Sequence, residues 1–191
     1  MHSTSGKKGQ KTNWRKLNRG TGRHGLFLQS SGIGFQNFEL SPDIELNTLE
    51  TNGTGFVRMV GYAFRHFRQQ GKGHIAIISS IAGTKGLGIA PAYSATKRFQ
   101  NTYIDALEQL SRMHHLHISF TDIRPGFVAT GLLNDGKHYP MLMSPKTVAA
   151  HIVRALHRKQ RIAVIDWRYR LLVFFWKLIP AGIWKRMPVK N

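Results

Sequence analysis

Ser80-Ile81-Ala82-Gly83, eight residues of loop, and then Ala92-Tyr93-Ser94-Ala95-Thr96-Lys97 form the stretch around which this chain is organised. Tyr93 and Lys97 stand four apart at the start of what reads as a long helix, so their side chains leave one face about a turn apart. A phenol and an ammonium are thereby held together. A nearby cation favours phenolate over phenol and makes such a tyrosine a usable general acid or base. Just upstream, Ile75-Ala76-Ile77-Ile78 reads as a buried strand ending at Ser79-Ser80. That puts the Ser80 hydroxyl at a strand's carboxyl end, where open parallel sheets bind their ligands.

A Tyr-x-x-x-Lys pair alone is a weak signal, and its strength lies in its company. Ser80 precedes Tyr93 by thirteen residues, Asn52 sits in Thr51-Asn52-Gly53-Thr54-Gly55, and Arg124-Pro125-Gly126-Phe127-Val128-Ala129-Thr130 follows the next expected strand. Taken singly, Asn52 also reads as a polar residue at a helix start and Pro125-Gly126 as an ordinary turn. As an ordered set, over about Leu26 to Ile165, these residues resemble the short-chain dehydrogenase/reductases. The resemblance implies a general acid/base in Tyr93 and a hydrogen bond from Ser80 to the same substrate oxygen. It implies that Lys97 lowers the Tyr93 pKa and holds the ribose of NAD or NADP, and that Asn52 holds a water linking Lys97 to solvent. Gly32, Pro125, Gly126, Val128 and Thr130 match cofactor-binding positions, the last two at the nicotinamide carboxamide. The implied activity interconverts an alcohol and a ketone or aldehyde on a small apolar substrate, with hydride chemistry supplied by the cofactor.

The expected fold is α/β: a Rossmann-like parallel sheet of about four strands, corresponding to the family's fourth to seventh, with flanking helices. The family begins instead with a strand, a Thr-Gly-x-x-x-Gly-x-Gly turn and a helix whose amides cradle pyrophosphate. Ser30-Ser31-Gly32-Ile33-Gly34 mimics the end of that turn, but Leu28 stands where its first glycine belongs. The better match sets Leu26-Phe27-Leu28 on the family's fourth strand and Gln29-Ser30-Ser31-Gly32 on its Asn-Asn-Ala-Gly motif, of which only Gly32 survives. On this reading the domain is N-terminally shortened, with an exposed edge strand and no grip on the adenosine half of a dinucleotide. That supports a second hypothesis, a non-catalytic homologue that acts through dimerisation or on a membrane surface.

At 191 residues the chain suits one domain with a hydrophobic core. It has no cysteine, which excludes disulfides and thiolate metal sites, and His114-His115-x-His117 reads as solvated surface rather than a metal site. The net charge of +19 divides unevenly. Residues 1–25 carry seven Lys or Arg and no acid, residues 26–150 eleven against eight acids, and residues 151–191 ten against Asp166 alone. A near-neutral middle calls for no basic nucleic-acid reading face. Residues 1–25 read as a disordered basic extension without a secretory signal, 26–166 as the dehydrogenase-like domain, and 167–191 as an apolar and basic tail.

Within the domain a helix is expected from Ser41-Pro42 towards Phe67, closed by glycine turns at Gly71 and Gly73. The Tyr93 helix should run to about Met113 and residues 117–123 form a strand. Ser144-Pro145 should open another helix and residues 162–165 close the sheet. In the family the first two helices pack in a dimer, which implies a homo-oligomer. The stretch between Thr130 and Met143 takes the place of the family's substrate loop; its leucines, methionines and Tyr139 suit an apolar substrate or core packing equally. In the tail, the apolar run 171–176 with basic flanks suits an interfacial membrane anchor or, as readily, a helix covering the pocket or a dimer groove. The expected location is cytoplasmic, with or without peripheral membrane contact.

Overall fold

The computed structural model describes residues 25–131 and 139–189. The expected basic extension at 1–25 therefore lies outside the described residues except for Gly25, as do Leu132 and Leu133 of the expected substrate loop. Strands β1 (Leu26–Gln29), β2 (Lys72–Ile78), β3 (His117–Arg124) and β4 (Ile162–Val164) form one parallel sheet in the order β1-β2-β3-β4. This is the expected α/β Rossmann-like architecture.

Parallel neighbours need crossovers, and helices supply them. Between β1 and β2 lie α1 (Pro42–Leu49), a π-helical stretch (Glu50–Gly55) and α2 (Phe56–Gln70). A 3₁₀ turn (Ile81–Thr84) and α3 (Pro91–Met113) join β2 to β3, and α4 (Pro145–His157) joins β3 to β4. Two further helices, α5 (Trp167–Leu178) and the short α6 (Ala181–Trp184), follow.

Helices cover both faces of the sheet, so residues 75–78 of β2 are an uninterrupted apolar run rather than an alternating one. Ile75 and Ile77 face one way, into a core with Phe56, Val60, Phe64, Phe67 and Ile104 from α2 and α3. Ala76 faces the other way, with Ile123, Val148, Ala163, Tyr169 and Val173 from β3, α4, β4 and α5. Among the described residues β1 and β4 are the edge strands, and Leu26 and Leu28 of β1 are exposed.

The helix ends follow local chemistry. Ser144 caps α4 by accepting from the Thr147 amide at 3.2 Å, with Pro145 in the first turn. Gly71, at φ +72°, closes α2 in the left-handed conformation that glycine adopts without penalty. Gly73, expected to share in that turn, already belongs to β2, where the Phe67 ring packs so closely on it that a β-carbon would not fit.

Candidate active site

Ser80 stands two residues beyond β2 and caps the following 3₁₀ turn, its Oγ accepting from the Ala82 amide at 3.1 Å. Tyr93 rises from the first turn of α3, where its phenol interacts with the Ser80 side chain. Burial pushes the Tyr93 pKa up, and the interaction with Ser80 only partly offsets this. The sequence reading, which has Lys97 lowering the phenol's pKa, is thus not what the geometry delivers. The Lys97 ammonium lies beneath the ring, 5.7 Å from its centroid, and spends two donors elsewhere, on the Ile78 carbonyl at 3.1 Å and on Gln100 Oε1 at 3.3 Å. Burial in turn brings Lys97 down to about 8, a fall that the Asp122 carboxylate opposes.

Asn52 is fully buried in the π-helical stretch, where the wider turn aims its side chain at the exit of β1. Its amide accepts from the Ile33 N–H at 2.9 Å, donates to the Ile33 carbonyl at 2.6 Å, and reaches Thr96 Oγ1 at 3.2 Å. Asn52 therefore lies inside a continuous helical run, not at a helix start, and it ties the segment 32–34 to α3. A β-carbon at Gly32 would stand 3.2 Å from Lys97 Nζ and 3.3 Å from Asn52 Oδ1. Gly34 packs flat on the Tyr93 ring, with no room for a side chain.

Pro125 and Gly126 follow β3, and the Pro125 carbonyl accepts from the Ile81 amide at 3.1 Å, next to Ser80. Val128 forms a bridge with Met143, and its carbonyl accepts from the Thr130 amide at 2.8 Å. Thr130 itself is exposed. The structure thus brings Ser80, Tyr93, Lys97, Asn52 and Gly32 together at the carboxyl ends of β1 and β2. Pro125 to Thr130 form the adjoining loop after β3.

Several residues that hold this arrangement escape the sequence reading. Gln100, one turn beyond Lys97 and 1% exposed, accepts from the Lys97 ammonium and donates to the Asn52 backbone carbonyl at 2.9 Å. Glu45 on α1 caps α3, accepting from the Ala92 amide at 3.1 Å while its other oxygen takes the Asn37 amide at 2.9 Å. Below the site the buried Asp122 carboxylate collects Ser79 Oγ at 2.5 Å, Asn101 Nδ2 at 2.9 Å and the Arg124 guanidinium at 2.6 Å. These bonds lock the ends of β2 and β3 together. Tyr169 of α5, fully buried, braces the Gly126 loop by accepting from the Phe127 amide at 3.0 Å and donating towards the Pro140 carbonyl at 3.0 Å. The helical spacing of Gln100 after Lys97 was available as a signal. Nothing in the sequence around Glu45 or Tyr169 announces such distant partners.

The family model for short chain dehydrogenases matches residues 12–138. The chain belongs to the short-chain dehydrogenase family. Dehydrogenase/reductase SDR family member 7B of Bos taurus is 27% identical over 176 residues, covering 85% of this chain and 54% of that protein. This short-chain dehydrogenase chain therefore spans about half the length of the curated relatives it matches. Among solved structures, the bulky-bulky ketone specific alcohol dehydrogenase from Comamonas testosteroni superposes with a TM-score of 0.64 at 18% identity, over 87% of this chain and 65% of that one. A short-chain dehydrogenase from Sphingobium yanoikuyae in complex with NADPH gives a TM-score of 0.67 at 17% identity, over 91% of this chain and 69% of that one. These structural likenesses are of fold.

Proposed function

We propose that this short-chain dehydrogenase is an oxidoreductase that interconverts an alcohol and a ketone or aldehyde on an apolar substrate with NAD or NADP. The observation that carries the reading is the grouping of Ser80, Tyr93, Lys97 and Asn52 beyond the carboxyl ends of β1 and β2, with the buried Lys97 ammonium 5.7 Å from the centroid of the Tyr93 ring. The donors present suit the ribose end of a nicotinamide dinucleotide. An ammonium has three N–H donors, of which Lys97 commits two to protein acceptors, and Gly32 leaves open the space above Lys97 and Asn52 that a β-carbon would crowd. Lys97 would take a ribose hydroxyl, and the loop from Pro125 to Thr130 would hold the carboxamide end. When bound, the dinucleotide supplies or accepts a hydride.

The chain's own residues do the rest. Ser80 orients the substrate oxygen and Tyr93 moves a proton at that oxygen. With its pKa raised, Tyr93 is held as the phenol and can donate a proton to a carbonyl oxygen. In the opposite direction the rate should climb with pH as the phenol ionises. The apolar substrate class rests on the stretch from Gly131 to Met143, of which Tyr139 and Met143 are committed to the core while Leu142 is exposed. Self-association is supported by the shallow apolar groove between α2 and α3, where Leu49 and Phe99 remain exposed.

Tyr93→Phe tests the reading. The variant should retain the melting temperature and lose carbonyl reduction with NADPH or NADH by a factor of about 10² to 10⁴. Undiminished turnover would refute Tyr93 as the proton donor. A folded wild-type chain without turnover or cofactor binding would favour the non-catalytic reading.

A further inference from the structure

Helix α5 has two apolar faces. Tyr169 and Val173 point inward and are buried against the sheet. Trp167, Leu171, Phe174 and Leu178 recur at i, i+4, i+7 and i+11, a single stripe on the opposite side. Trp167 is 66% exposed, Phe174 57% and Leu178 64%, and Phe175 widens the stripe at 58%. Globular helices turn polar residues to solvent, so an outward stripe this apolar lacks a partner.

Charge narrows what that partner is. Arg170 and Lys177 flank the stripe on one side and Arg168, paired with Asp166, on the other; Lys185 and Arg186 follow just beyond α6. Asp166 is the sole acid after residue 150. The platform is also fixed. Lys85 donates to the Ile179 carbonyl and the Trp184 indole to the Gly86 carbonyl, both at 2.8 Å, pinning the end of α5 and α6 to the loop that precedes the Tyr93 helix. A second copy of the same face would offer Arg170 and Lys177 no acid to meet except Asp166, which is already paired with Arg168.

We infer that the outer face of α5 docks in the plane of an anionic lipid surface, with Trp167, Leu171, Phe174 and Leu178 entering the headgroup and acyl boundary and Arg170 and Lys177 meeting lipid phosphates and carboxylates. At 12 residues α5 is far short of the ~20 that cross a bilayer, and among the described residues no helix is long and apolar enough to do so. It lies on the surface, as amphipathic helices with basic flanks do.

The test is co-flotation of the full chain with vesicles of phosphatidylcholine alone and of phosphatidylcholine mixed with phosphatidylserine. The wild type should float with the mixed vesicles, less at high salt, and far less with phosphatidylcholine alone. F174E/L178E, both on exposed positions, should keep the wild-type melting temperature and lose about tenfold or more of that partition. R170E/K177E should lose it on the mixed vesicles while leaving the apolar stripe intact. Failure of the folded wild type to float would overturn the inference. So would flotation that F174E/L178E leaves unchanged, since the contact would then lie elsewhere. Light scattering supplies a third arm: an oligomer that F174E/L178E dissociates, without vesicle binding, would make the stripe a self-association face and overturn the inference as well.

Discussion

Gly126 and Tyr169 form a contact whose energetics can be predicted in both directions. Gly126 follows the last strand residue of β3 by two positions, and its α-carbon is pressed so closely on the buried Tyr169 ring that a methyl group there would overlap ring carbons. No unusual backbone angle is involved, so the cost of Gly126→Ala is steric, about 1–3 kcal/mol for overpacking. Tyr169→Phe leaves the ring but strands the Phe127 amide, which donates to the phenol oxygen at 3.0 Å, and should cost about 1–3 kcal/mol. Tyr169→Ala opens a cavity and should cost about 3–5 kcal/mol. In that background nothing obstructs the methyl group that Gly126→Ala adds, so the double variant should be more stable than the sum of the single changes predicts, by about 1–3 kcal/mol. Urea unfolding followed by circular dichroism measures all four corners of the cycle. Additivity within about 0.5 kcal/mol would refute the claim that the Tyr169 ring is what excludes a side chain from position 126.

Lys97, titrating at about 8 in the folded protein, should show that value in an NMR titration of its methylated amine, against the ordinary lysine range on unfolding. Because the folded state holds this proton less tightly, the buried charge costs about 3 kcal/mol below pH ~8, and stability should rise with pH from there to ~10.5, as the unfolded chain still binds the proton and the native state has released it. Gln100→Leu removes the amide oxygen that accepts from the ammonium and should move the Lys97 value further down; an unchanged titration would detach Gln100 from the site. Glu45→Ala takes the acceptor from the Ala92 amide and should destabilise the protein by about 0.5–2 kcal/mol, with faster hydrogen exchange confined to the first turn of α3.

The fold was largely legible because its signals are local. The run 75–78 reads as a two-sided buried strand, Ser144-Pro145 as a helix start, and the 3.6-residue pattern after Tyr93 carries α3 to Met113 as expected. Gly73 was misread because two nearby glycines look alike in sequence, while only Gly71 takes a positive φ and Gly73 is required by the Phe67 ring. In the site, Ser80, Asn52, Tyr93 and Lys97 were legible as an ordered set, and the structure brings them together. What spacing could not convey was the electrostatics. Tyr93 and Lys97 share a helix face, yet the ammonium turns under the ring to backbone and Gln100 acceptors, and burial moves each group towards its neutral form. Glu45, Asp122 and Tyr169 act across long sequence separations, and no local pattern names their partners.

Titration of the purified chain with NADPH and NADH, following nucleotide fluorescence and thermal stability together, tests the proposed activity most directly. The account predicts saturable binding by at least one of them with a raised melting temperature, weakened by Lys97→Met, which keeps the bulk and removes the ribose donor. A folded wild-type chain that neither perturbs the fluorescence nor gains stability with either nucleotide into the millimolar range would contradict it, leaving Ser80, Tyr93 and Lys97 as a site without its cofactor.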